Sequence, residues 1–337
     1  MRITLPELLA TGRILMTDGA TGTNYFSMGL GPGDPPERWN LTKPERVAML
    51  HQSFVDGGAD IILTNSFGGT RQRLALHNLE GQVHELARRG AEIAGAVAEW
   101  CPRPVVVAGS VGPTGELFEP LGKLTHDVAV ASFREQIEGL RDGGADVVWI
   151  ETMSAPEEIR AAAEASIEAG MPYVSTCSFD TAGRTMMGLM PGDLVDVFAG
   201  LSEPPVAYGA NCGVGAPDVL VTTLAMAERS PDHVLVCKGN CGVPQFHGAE
   251  ISYSGTPELM AEYARLAVDA GARIVGGCCG TSPDHVRAMR RSLDGYRKGA
   301  TPDIAAIVER VGPLTNSAPT VNTGGRERRR SRGRSNT

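Results

Sequence analysis

Three cysteines carry the clearest chemical signal in this sequence. Cys278 and Cys279 stand side by side in Gly276-Gly277-Cys278-Cys279-Gly280, and Cys212 stands in Asn211-Cys212-Gly213. Neighbouring cysteines close a disulfide only through a strained ring, so the pair reads first as metal ligands or nucleophiles. Three thiolates brought together from two segments fill three corners of a tetrahedron. The fourth stays open, which is the pattern of a catalytic zinc rather than a closed structural one. Cys241, in Gly239-Asn240-Cys241-Gly242, competes as a ligand on position alone. Cys101, Cys177 and Cys237 read as small buried hydrophobes.

The elements that must bring these residues together are legible as a repeat. Short apolar runs alternate with longer helical stretches about eight times. The runs are Ile14–Gly19, Asp60–Asn65, Pro104–Gly109, Asp146–Thr152, Tyr173–Phe179, Val206–Asn211, His233–Gly239 and Arg273–Gly277. Helices follow over 44–56, 84–100, 129–142, 156–169, 192–199, 217–228, 257–270 and 283–293. Unbroken apolar runs fit parallel strands covered on both faces. Gly57-Gly58, Gly143-Gly144 and Gly271 each end a helix before a strand, where a left-handed cap turns the chain back. The expected fold is α/β, a single (β/α)8 TIM barrel over residues 1–311. A doubly wound sheet is the rival, but no G-x-G-x-x-G follows the first strand.

A barrel of this kind carries its chemistry at the C-terminal ends of its strands. Those ends here are Asp18-Gly19-Ala20-Thr21, Thr64-Asn65-Ser66-Phe67, Gly109-Ser110, Glu151-Thr152, Asn211-Cys212 and Gly277-Cys278-Cys279. An acid that ends the run Val147-Val148-Trp149-Ile150, as Glu151 does, faces a partner or a polar mouth.

Composition narrows the class further. The chain has 337 residues, 42% of them hydrophobic and 21% charged, which suits a packed core. Its 42 glycines show no collagen period. No signal peptide and no long apolar run is found, so a cytoplasmic protein without membrane contact is expected. An odd count of seven cysteines agrees with a reducing compartment. The net charge is −8, yet six arginines against Glu327 give residues 312–337 a charge of +5, leaving −13 on the body. That acidic body argues against nucleic acid as a partner of the barrel. The segment 312–337 is expected to be a disordered Arg-rich tail; a homo-oligomer is compatible with the sequence.

Asp18-Gly19-Ala20-Thr21-Gly22-Thr23, Gly209-Ala210-Asn211-Cys212 and Gly276-Gly277-Cys278-Cys279-Gly280 resemble the homocysteine S-methyltransferase family, over about Leu5 to Leu293. The resemblance implies Zn2+ held by Cys212, Cys278 and Cys279, with the sulfur of L-homocysteine at the open position. It also implies that Asp18 and Glu151 receive the substrate ammonium, and that N–H groups near Gly19 and Thr21 receive its carboxylate. Zinc deprotonates a bound thiol, and three protein thiolates with a fourth from substrate bring the centre to about −2. Such a centre suits a small cationic methyl donor.

Betaine is the first expectation for that donor, because a single barrel leaves no room for folate and cobalamin modules. A quaternary ammonium favours aromatic faces, and Tyr25, Phe26, Trp39 and Phe67 all follow the first two strands. Trp39 lies where the betaine enzymes carry a loop tryptophan. The glycine-rich Phe67-Gly68-Gly69-Thr70 departs from their aromatic second loop. S-methylmethionine, or methylcobalamin presented in a split methionine synthase, are the other donors. From other classes, a zinc or thiol sensor with an RNA-binding tail has no use for an amino-acid site. An acyl-transfer enzyme needs a histidine beside a cysteine, and His285 falls inside the last helix, where it reads as solvent-facing.

Overall fold

The computed structural model describes residues 3–242, 244–247 and 250–316. Its strands are β1 (Leu15–Met16), β2 (Ile61–Leu63), β3 (Val106–Val111), β4 (Val147–Met153), β5 (Tyr173–Cys177), β6 (Ala207–Cys212) and β7 (Leu235–Gly239). A hairpin of β8 (Pro244–His247) and β9 (Glu250–Tyr253) comes next, and then β10 (Ala272–Gly277). Eight of them form one parallel sheet in the order β1-β10-β7-β6-β5-β4-β3-β2. The ends of that sheet meet through a parallel bridge between Thr17 and Ile61. On that seam the Asp18 N–H donates to the Ile61 carbonyl at 3.0 Å and the Asp60 N–H to the Met16 carbonyl at 2.7 Å. The sheet is therefore the expected (β/α)8 barrel.

Asp60 reinforces the seam from the side. Its buried carboxylate accepts the Met16 N–H at 3.0 Å and pairs with Arg13 at 2.8 Å and Arg290 at 3.1 Å. Arg103 joins at 3.4 Å. Charge-assisted bonds of this kind are stronger than neutral ones, and they hold together the two shortest strands of the barrel.

Inward-facing residues alternate with outward ones along each strand, and the lower interior is wholly apolar. Leu15, Ile61, Val106, Val147, Val174, Ala207, Val236 and Ile274 pack there around Trp149. Leu5 and Leu8, from helix Leu5–Ala10, close this interior from below. That helix is absent from the sequence expectation; its signal is the capping box of Thr4 and Glu7 with Pro6 between them. The outer core lies between strands and helices. The fifth helix is one α-turn, Leu194–Val197, after a 3-10 turn at Pro191–Asp193. A last helix, Ile304–Val311, also lay outside the repeat as read.

The chain stays on the body past that helix. Thr315 and Asn316 donate their backbone N–H groups to the Asp218 carboxylate at 3.0 and 2.9 Å. The first residues of the segment read as a tail are thus tied down, and 317–337 lie outside the described residues. Among the described residues no helix is long and apolar enough to cross a membrane.

Candidate metal and amino-acid site

The three cysteines meet at the mouth of the barrel. Their sulfurs all lie within 4.8 Å of one another, and the Cys212 and Cys279 sulfurs are 3.9 Å apart. A tetrahedral zinc with bonds of about 2.3 Å needs sulfurs about 3.8 Å apart, so the spacing fits. The local backbone is shaped for this. Cys212 ends β6 in the left-handed region at φ 62°, an uncommon conformation for a residue with a side chain. A Cβ on Gly276 would lie 1.8 Å from the Thr17 hydroxyl, and one on Gly280 2.3 Å from the Tyr253 ring. The glycines around the pair therefore let β10 approach its neighbours and let the thiols turn inward.

Two asparagines orient the thiols. Asn240 accepts the Cys279 N–H at 3.0 Å and directs its amide N–H₂ at Cys212 Sγ, 3.7 Å away. Asn211 directs its own at Cys278 Sγ, 3.8 Å away, while bonding Thr152 through both ends of its amide. For Cys212 the hydrogen bond from Cys278 favours ionisation, but Cys279 and burial outweigh it and push the thiol up to about 12. Three thiols this close cannot all ionise by themselves. A cation at their centre removes that obstacle, which is the chemistry this donor set fits.

Cys241 stays apart from the cluster. It is 1% exposed and gives its S–H to the Gly255 carbonyl at 3.3 Å, and the group within ligand distance is Cys212, Cys278 and Cys279. Cys177 and Cys237 are fully buried, and Cys101 is 8% exposed. His285 is neither solvent-facing nor paired with a thiol. Its Nδ1 accepts the Ser282 N–H at 3.1 Å in a capping box, and its Nε2 lies 3.3 Å from the Gly255 carbonyl.

Below the thiols the barrel interior becomes polar. Asp18 is 1% exposed; Oδ2 accepts the Leu63 N–H at 2.7 Å, and Oδ1 has no hydrogen-bond partner. Burial pushes its carboxyl up to about 6, against the pull of Lys238 and the Leu63 N–H, with Glu151 adding to the rise. Glu151 accepts the Ser110 hydroxyl at 2.5 Å. A register shift between Ile150 and Met153, with Thr152 at φ 61°, turns this end of β4 toward the mouth. Among the described residues neither the Gly19 nor the Thr21 N–H donates a hydrogen bond.

Lys238 was missed by the sequence reading. It is 1% exposed on β7, with Nζ 3.7 Å from Asp18 Oδ1 and 5.4 Å from the centre of the Trp149 ring. Burial opposes its charge, but Asp18, Glu151 and Cys278 hold its ammonium above the ordinary value. The available signal was a lysine inside the apolar run Leu235-Val236-Cys237-Lys238-Gly239.

Trp39 departs from expectation. It is 4% exposed, its ring packs on Tyr25 with centroids 5.1 Å apart, and Lys43 and Arg46 lie over it at 4.9 and 5.3 Å. A donor cation finds no free face there, because the ring already anchors the first loop and serves two cations of the protein. Phe67, by contrast, is 39% exposed and packs against Gly112 at the end of β3.

Known proteins agree with this geometry. The curated methionine synthase of Mycobacterium leprae is 29% identical over 316 residues, covering 88% of this chain, which spans 26% of that protein's length. The homocysteine methyltransferase MmuM from Escherichia coli, in its metallated form, superposes with a TM-score of 0.71 at 26% identity. That match covers 84% of this chain and 98% of the other. Its oxidized form gives 0.72 at 27% identity over 85% and 98%. A methyltransferase from Methanosarcina mazei shares the fold, with a TM-score of 0.55 at 13% identity over 84% and 94%. Residues 15–293 match the homocysteine S-methyltransferase family itself. With a barrel, a three-thiol cluster and a match across most of its length, this chain belongs to the homocysteine S-methyltransferase family.

Proposed function

We propose that the protein transfers a methyl group to the sulfur of L-homocysteine, giving methionine, with zinc held by Cys212, Cys278 and Cys279. The observation that carries this reading is the three-thiol cluster set above a buried carboxylate oxygen, Asp18 Oδ1, that has no hydrogen-bond partner. Zinc would supply the charge that keeps the three thiols and the substrate sulfur ionised at neutral pH. The protein's own residues do the rest. Asp18 and Glu151 take the ammonium, and the N–H groups of Gly19 and Thr21 take the carboxylate. Asn211 and Asn240 fix the thiols through weak N–H···S contacts. Holding thiol and donor in line supplies the proximity that a displacement needs. Seven unpaired cysteines suit a reducing cytoplasm.

The donor in this proposal is a small cation, betaine first, drawn to a thiolate-rich mouth. Phe67 replaces Trp39 as the aromatic contact, since it is 39% exposed where Trp39 is buried. The methionine synthase relative, of which this chain spans about a quarter, favours a second reading in which a partner protein presents methylcobalamin. The test supplies zinc-loaded protein and homocysteine with betaine, S-methylmethionine or methylcobalamin in separate reactions. Methionine formed from betaine without cobalamin is expected. Turnover on methylcobalamin alone would select the second reading. Failure to bind homocysteine at all would remove both.

A further inference from the structure

We infer that Lys238 is a positioning residue for the amino-acid end of the substrate: it balances the buried Asp18 carboxylate while leaving Oδ1 open, so that the substrate ammonium meets a charged oxygen. This inference rests on the pocket reading proposed above. A carboxylate buried in a dry barrel cannot keep its charge unaided and would hold a proton. Lys238 reaches into the barrel from β7 with its Nζ 3.7 Å from Asp18 Oδ1, and its side chain is 2% exposed. That distance is too long for a hydrogen bond. The lysine therefore balances charge without filling Oδ1, which stays available to a donor.

The charge count explains why a lysine suits this place. As formal charges Asp18, Glu151 and Lys238 sum to −1, the complement of a single ammonium. The remaining groups facing this cluster are Tyr25, whose phenol burial holds protonated, and Cys278. Ser110 donates to Glu151, and the Leu63 N–H donates to Asp18. None of these supplies a second cation. Without Lys238 the Asp18 carboxyl would hold a proton, and the ammonium would have to displace it on binding.

The test compares homocysteine with γ-mercaptobutyrate, the same thiol acid without its amino group, by calorimetry on zinc-loaded protein. The ratio of the two dissociation constants isolates the ammonium from every thiol and metal contribution. Wild type should favour homocysteine at a ratio that is flat between about pH 7 and 8, below the titration of the substrate's own amino group. In Lys238→Met the ratio should fall on the order of 30-fold near neutrality, and climb again toward about pH 8 as the Asp18 proton leaves. The double variant Asp18→Asn/Lys238→Met removes one charge of each sign. It should recover a ratio independent of pH, and it keeps the test open if the single variant folds poorly. A ratio unchanged in Lys238→Met, or a double variant as pH-dependent as the single, overturns the inference alone. A wild type with no preference for homocysteine overturns the pocket reading and this inference with it.

Discussion

The floor and the mouth of the barrel are built from the same strands and differ in almost every other respect. On β4, Val147 and Trp149 point into the apolar floor, and Glu151, two residues on, opens the polar layer. On β7 the same step leads from Val236 to Lys238. The floor follows the rules of core packing except at Trp149, whose buried indole N–H has no hydrogen-bond partner. The mouth breaks them with two buried acids, a buried lysine and Cys212 at positive φ. The contrast teaches that the strands are rigid because of their lower half, so the upper half can hold groups that cost stability.

The largest effect should come from removing a ligand at the mouth. Cys212→Ala, Cys278→Ala and Cys279→Ala should each lose tightly bound zinc and on the order of a thousandfold in turnover. Cys177→Ala and Cys101→Ala should keep the metal, because those thiols are buried in apolar surroundings. Metal analysis of the five purified variants decides the matter; equal zinc in all would dissolve the assigned site.

One step out, Asn240→Ala should weaken zinc binding by about 10- to 100-fold, the range seen for residues that orient ligands. Asn240 touches both sides of the cluster, through the Cys279 N–H and Cys212 Sγ. A competition titration with a chelator measures it. An effect as large as that of losing a cysteine would mean that Asn240 holds the loop itself rather than tuning the thiols.

At the floor the expected outcome is reversed. Leu8→Ala deletes a side chain, 2% exposed, that packs on the barrel floor from below, and should lower stability by about 2–5 kcal/mol. Urea unfolding should register that loss, while zinc content and homocysteine affinity stay unchanged. A parallel loss of affinity would show that the two halves are coupled through the strands.

The same division governs what the sequence revealed. The barrel was readable because burial on both faces demands unbroken apolar runs, and the cysteines because a vicinal pair among glycines has little structural use. Lys238 was hidden by its run, since strand patterning alone does not say which residue of a fully buried strand points inward. Trp39 misled for a related reason. Its place in the chain fits a mouth loop, but its burial depends on Tyr25, Lys43 and Arg46, which approach from other turns. Helix Leu5–Ala10 precedes the repeat, so periodicity could not announce it.

The smallest effect is expected from the C-terminal arginines, which lie outside the described residues. Their tether is nevertheless close to the chemistry. Asp218 opens helix Ala216–Arg229, immediately after the loop that follows Cys212, and it holds the Thr315 and Asn316 N–H groups. Removing Arg326 to Arg334 leaves that tether whole, so zinc content and homocysteine turnover should stay within about twofold of wild type. Asp218→Asn tests the tether itself. It should weaken two charge-assisted bonds, at a cost of about 1–2 kcal/mol in unfolding free energy. If the truncated protein instead kept its zinc and lost turnover, the arginines would have to reach from residue 316 across the mouth. The barrel would then have a third working region, contributed by the tail.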